Sequence, residues 1–177
     1  LFHDASVLRF LRDACDAHGI HLIFDEIAVG FGRLGHMFAC EAAGVVPDVV
    51  TLSKALTGGT LPLAATVATS RIFESFLADA PSAALMHGPT FMANPLACAA
   101  AGASLDLFAS EPRLEGARKI GEQLEAELGL ARGHPRVKDV RVWGALGVVE
   151  VDRVRDLERL RRRFVELGCW IRPVGRC

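Results

Sequence analysis

The sequence predicts an α/β chain: part of a mostly parallel sheet with helices on both faces, followed by a smaller α+β portion. Two apolar runs carry this reading. Residues 20–24 and 49–52 are short and nearly unbroken, the first followed directly by Asp25 and the second by Ser53 and then Lys54, as in strands covered on both faces. A helical pattern separates such runs, and strand–helix alternation builds an α/β layer. The third observation is a change of character near Glu111-Pro112, after which amphipathic helices flank two alternating strands.

The elements follow in order. Residues 6–18 place Val7, Leu8, Leu11, Ala14 and Cys15 on one helical face, and Gly19 supplies the stop. The strand at 20–24 leads into Asp25 and Glu26, and a short helix is expected over 37–43. Strands follow at 49–52 and 64–68. Residues 69–93 read as a long loop punctuated by Pro81, Gly88 and Pro89. Asn94-Pro95 is a helix start, a capping side chain followed by a ring with no N–H to leave unpaired. The helix at 96–108 is apolar nearly all round and is expected to be buried. Beyond it, Leu114, Ala117, Ile120, Leu124 and Leu128 stripe a second helix. Strands are expected at 137–143 and 146–151 about Gly144, a helix at 156–167, and a last strand at Trp170-Ile171.

Composition narrows the function. A chain that is 51% apolar and 23% charged, with net charge −1, is an ordinary globular protein with no pull toward a polyanion. Cys15, Cys40, Cys98, Cys169 and Cys177 form no Cys-x-x-Cys pair, and four of the five lie among apolar or small residues, where free buried thiols in a reducing cytoplasm are expected. The six histidines lack metal-ligand spacing. The glycines of residues 30–35 miss the dinucleotide spacing, and the basic stretch at 159–163 falls on an amphipathic helix. The chain opens at Leu1 without a leader and stops after strand-like residues, and is expected to be an internal fragment.

Two charged residues stand at strand ends: Asp25 after the first apolar run and Lys54 after the second. Ligands of open α/β sheets bind beyond the carboxyl ends of the strands, so both are expected to face one crevice. A carboxylate and an amine there suit pyridoxal phosphate (PLP), the amine for a Schiff base and the acid for the ring nitrogen. An ordinary strand-end ion pair is the plain alternative. Gly58-Gly59 permits close backbone approach, and residues 87–91 could offer N–H groups and the Thr90 hydroxyl to an anion. Arg172 could clamp a carboxylate, although strand-end arginines are commonly just surface.

Three blocks then resemble the class III, fold-type-I aminotransferases. They are Phe-Asp-Glu-Ile-Ala-Val-Gly-Phe-Gly-Arg-Leu-Gly (24–35), Ser-Lys-Ala-Leu-Thr-Gly-Gly-Thr-Leu (53–61) and Met-His-Gly-Pro-Thr-Phe-Met-Ala-Asn-Pro-Leu-Ala-Cys-Ala-Ala (86–100). The last two, with residues 139–150 and 169–173, resemble the branch that carries an amino group from S-adenosylmethionine to 8-amino-7-oxononanoate in biotin synthesis. The resemblance implies that Lys54 is the Schiff-base lysine and proton shuttle, and that Asp25 pairs with the pyridinium nitrogen. By the same resemblance Pro89 and Thr90 are expected to contact the phosphate of a neighbouring subunit, which implies a homodimer. It implies further that Gly88 touches substrate, that Arg172 binds the keto acid's carboxylate, and that Arg33 lies near the site. Residues 1–111 are then the second half of the PLP-binding large domain, and 112–177 an incomplete small domain. The family's Gly-Ser phosphate loop and stacking aromatic have no counterpart here, so the segment is expected to be inactive alone. Two alternatives stay open: another class III aminotransferase acting on ω-amino acids or ornithine, or a non-catalytic fragment.

Overall fold

Helix α1 (Ala5–His18) begins where the Asp4 carboxylate accepts the Ser6 N–H at 2.8 Å and ends where Gly19 turns left-handed at φ 63°. In the computed structural model, which describes residues 3–171 and 173–175, the chain then enters β1 (Ile23–Asp25). Helix α2 (Ala39–Ala43) and β2 (Val49–Leu52) follow, and β2 lies parallel to β1 with Asp25 opposite Thr51. β3 (Ala65–Ala68) pairs with β2 antiparallel, Leu52 opposite Ala65, giving the order β1-β2-β3. After α3 (Ser70–Glu74) and a loop, α4 (Pro95–Ser110) starts as expected: the Asn94 side chain accepts the Leu96 N–H at 3.0 Å and Pro95 leads the first turn.

Two apolar clusters sit on one face of this sheet. Leu22, Phe24, Ala43 and Val45 gather Ala5, Leu8 and Cys15 of α1 and Cys40 of α2. Phe31, Leu52, Leu56 and Ala101 gather Phe38, Leu63, Ala65 and Phe108, with Val50 shared between the clusters. Each Leu or Phe so buried contributes roughly 1.5–3 kcal/mol. An ion-pair hub adds directional bonds at the sheet's amino end. The buried Asp48 carboxylate accepts the Leu22 N–H at 2.8 Å, Arg12 at 2.9 Å and Arg71 at 2.7 Å.

Contacts divide the chain into two compact units, Leu1–Ala117 and Arg118–Cys177, the division falling inside α5 (Arg113–Gly129). In the second unit, β4 (Val137–Trp143) and β5 (Leu146–Val151) form a hairpin, and α6 (Leu157–Glu166) follows. The hairpin turns on Gly144, whose φ of 53° suits the first central position of a primed turn. The buried Gly121 of α5 lets the helix approach this turn: a Cβ there would stand 2.5 Å from the Gly144 carbonyl oxygen.

Several expectations are revised. Among the described residues β1 and β2 run parallel while β3 is antiparallel to β2, because β2 and β3 are joined by a hairpin-like loop rather than a crossover. Among the described residues one face of the sheet is packed and the other is open: Phe24 is buried while Ile23 is 60% exposed. Residues 70–74 form α3 inside the stretch read as loop, since five residues are too few to display a helical period. On α4 only Ala97 and Ala101 are buried, and Leu96 is 72% exposed, so its apolar circumference is not matched by neighbours. On α1, Leu8 and Cys15 pack inward, but Val7 and Leu11 remain exposed. Trp170 and Ile171 lack strand pairing, and Trp170 is exposed.

Candidate active site

Alternation along β1 sorts its two carboxylates. Phe24 and Glu26 turn to the packed side and Asp25 to the open one, as the period of two requires. Asp25 is exposed, and its Oδ1 accepts the Ile27 N–H at 3.0 Å, which fixes the first bend after the strand. Glu26 is buried and caps α2, accepting the Ala39 and Cys40 N–H groups at 2.6 and 2.9 Å. Its charge is met there by the positive end of the helix. Beside it the Cys40 thiol is pushed up to about 11, chiefly by burial and then by the neighbouring Glu26 carboxylate.

The loop from 26 to 38 carries Arg33. Its conformation is held by Phe31, buried at a left-handed φ of 59° and packed edge-on against Phe38 at 5.4 Å between ring centres. The Phe31 N–H donates to the Met37 carbonyl at 2.6 Å, closing the loop. Gly32 passes so close to Leu114 that a Cβ would stand 3.0 Å from its Cδ2. Arg33 itself stays exposed.

Lys54 opens a short 3-10 turn, Lys54–Thr57, two residues beyond the end of β2. Its φ is 46°, a left-handed conformation that costs a side-chain-bearing residue about 1–2 kcal/mol. Four side chains stabilise this loop, one of them Thr60, whose Oγ1 donates to the Thr57 carbonyl at 2.8 Å. Ser53 Oγ donates to the Leu63 carbonyl at 2.7 Å, Thr57 Oγ1 to that of Leu61 at 2.6 Å, and Ser104 Oγ of α4 to that of Ala55 at 3.3 Å. Gly58 and Gly59, at φ 61° and 80°, make the reversal that a larger residue would resist.

The parallel register brings Asp25 and Lys54 to the same carboxyl edge. Asp25 lies opposite Thr51 on a strand roughly 4.8 Å away, and Lys54 follows Thr51 by three residues. Gly88, Pro89 and Thr90 lie in the exposed loop before α4, where the Met92 N–H donates to the Pro89 carbonyl at 2.8 Å. A cavity of about 1010 Å³ spreads over the open sheet face, lined by Ser53, Thr66, Phe73, Phe76, Pro89 and Phe91 among others. It therefore joins the lysine loop to the 88–90 loop, though neither Asp25 nor Lys54 lines it. Arg172 lies outside the described residues.

Sequence reasoning passed over Ser53, Glu26 and Asp48. For Glu26 a signal existed in the alternation that buries Phe24, and for Asp48 in a lone acid within an apolar run. Nothing local marks Ser53, whose partner is ten residues away.

An acid and an amine at neighbouring parallel strand ends are the donor set that a pyridoxal cofactor needs, so the residues present fit that group. Fold and edge together define a fold-type-I transaminase segment. The chain belongs to the class-III aminotransferase family, which matches it over residues 1–177. It is 48% identical over 172 residues to the adenosylmethionine-8-amino-7-oxononanoate aminotransferase of Mycobacterium leprae (strain TN), covering 97% of this chain and 39% of that protein. It is 42% identical over 175 residues to the enzyme of that name from Corynebacterium glutamicum, covering 99% and 41%. Among solved structures, the adenosylmethionine-8-amino-7-oxononanoate aminotransferase of Methanocaldococcus jannaschii superimposes with TM-score 0.87 at 34% identity, over 96% of this chain and 42% of that one. An amine transaminase from an uncultivated Pseudomonas species, in its PLP-bound form, gives TM-score 0.89 at 35% identity, over 97% and 42%. The chain thus spans about two fifths of the length of the curated relatives it matches.

Proposed function

We propose that this chain is the lysine-bearing segment of a PLP-dependent aminotransferase. Its reaction moves the amino group of S-adenosylmethionine to 8-amino-7-oxononanoate, giving 7,8-diaminononanoate for biotin synthesis. The observation that carries the reading is the shared carboxyl edge of Asp25 and Lys54. The identity of 48% to a relative of that name supports this choice of substrates. In this reading residues 1–111 belong to the large domain and 112–177 to the small one. The protein works in the cytoplasm as a homodimer. No helix of the described residues is long and apolar enough to cross a membrane, in keeping with that location.

When bound, PLP supplies a carbonyl that condenses with amines and a ring that draws off the electron pair left by a departing proton. Lys54 Nζ is the covalent anchor and, when free, the base that takes a proton from the substrate's α-carbon and returns it. The Asp25 carboxylate keeps the ring nitrogen protonated. The Thr90 hydroxyl and the backbone at Pro89 hold the phosphate, across the dimer. Gly88 touches the substrate, Arg172 pairs with the carboxylate of the keto acid, and Arg33 lies near the site. Asp25, Lys54, Gly88, Pro89, Thr90 and Arg33 are all exposed here. A site that excludes water needs further walls, and these come from other parts of the full-length protein and from a second subunit.

The test is the visible absorbance of the PLP-loaded full-length protein before and after S-adenosylmethionine is added without acceptor. The expected result is loss of the yellow band, with no such band in Lys54→Ala. A band that responds only to ω-amino acids or ornithine would keep the class and overturn the substrates. No band at all would make the segment non-catalytic.

A further inference from the structure

We infer that Ser53 is a positioning residue for Lys54, fixing the lysine's left-handed backbone by tying together the ends of loop 53–63; the inference rests on the role proposed for Lys54. The backbone ladder between β2 and β3 stops at the Leu52–Ala65 pair. One residue further, Ser53 is still extended (φ −166°, ψ −152°), and its hydroxyl replaces the missing rung by donating to the Leu63 carbonyl at 2.7 Å. The Ser53 carbonyl in turn accepts the Leu56 N–H at 3.0 Å, so its hydroxyl and its carbonyl are both engaged by residues that follow Lys54. The chain flips at the next residue, to φ 46°.

A residue with a Cβ keeps such a conformation only when its surroundings over-determine it. The Thr57 clasp and the Ser104 contact grip the loop further along, at Leu61 and Ala55. Among the described residues, Ser53 supplies the side-chain bond at the base of the loop, beside the lysine. Without its hydroxyl the Leu63 carbonyl loses this donor and Lys54 relaxes toward a negative φ. That rotation carries the amine away from where the sheet edge presents it. Misplacement of a reacting group by about 1 Å costs on the order of 100-fold in rate.

The test compares Ser53→Val with Ser53→Thr in the full-length protein, side chains of one shape that differ in the hydroxyl. In cofactor-free protein, amide hydrogen exchange over residues 54–63 should rise about tenfold or more in Ser53→Val and stay near wild type in Ser53→Thr. In the loaded enzyme, kcat should fall roughly 10- to 100-fold in Ser53→Val, with KM changed less than about threefold, and Ser53→Thr should restore it. If Ser53→Val does not fold, Ser53→Ala takes its place. Wild-type exchange and kcat in the hydroxyl-free variant would overturn the inference, as would equal damage in Ser53→Thr. If wild type lacks a Lys54-dependent visible band, the functional reading falls, and the exchange arm still decides whether Ser53 holds the loop.

Discussion

The Arg71 guanidinium and the Asp48 carboxylate meet at 2.7 Å, tying the first turn of α3 to the residue that precedes β2. Arg12 reaches the other carboxylate oxygen from α1 at 2.9 Å, and the backbone of Leu22 donates to it as well. One buried side chain thereby joins four segments that are remote in sequence.

These donors hold the Asp48 carboxyl well below the usual carboxylate range, the Leu22 N–H contributing most, then Arg12 and Arg71. A depressed folded value stabilises the fold above the unfolded value of about 3.9, and that contribution disappears as pH falls through the lower folded value. Asp48→Asn should therefore lower the melting temperature at pH 7 by several degrees. The gap to wild type should narrow steadily below about pH 4. Melting curves across that range check it, and a gap independent of pH would refute the linkage.

Gly121 makes a second prediction. A methyl group at this position would collide with the Gly144 backbone, which cannot step aside as a flexible side chain can. Gly121→Ala should cost about 1–3 kcal/mol in chemical denaturation of the full-length protein, despite the better helix propensity of alanine. Equal or higher stability would mean that α5 and the hairpin turn have freedom to separate.

The Cys40 thiol, raised to about 11, should be a poor nucleophile in the folded protein. Alkylation by iodoacetamide at pH 8 should be on the order of 100-fold slower than for the same residue after unfolding. Peptide mass spectrometry of time-quenched samples measures it. Rapid labelling in the native state would show that the Glu26–Cys40 environment is wrong.

Lys54→Ala should lower amino transfer by the full-length protein by roughly 1,000-fold or more, because in the proposed function one side chain serves as anchor and as proton carrier. Added methylamine should return part of the loss by supplying a diffusible base. Transfer at an undiminished rate would remove Lys54 from the reaction.

Legibility differed between elements for physical reasons. Val49–Leu52, Val137–Trp143 and Leu146–Val151 lie where the apolar pattern places strands, and α4 starts at Asn94-Pro95, because these signals are local. Helix α3 is too short to display a helical period. The strand expected at Trp170-Ile171 did not form among the described residues, since pairing needs a neighbouring edge that no side-chain pattern can supply. Asp25 and Lys54 stood out as charges closing apolar runs. Ser53, an ordinary serine in sequence, is defined only by the carbonyl it meets.

The sequence by itself determined the α/β character, the principal strands and the two residues, Asp25 and Lys54, on which the chemistry is proposed to turn. Those follow from periodicity and residue type, which the chain carries locally. Only the tertiary structure decided that β3 runs antiparallel, that Glu26 is buried while Asp25 is open, and that Asp48 gathers Arg12 from 36 residues away. Hydropathy records which side chains favour burial. It does not record which distant partner will meet them, and that choice is made only when the elements pack together.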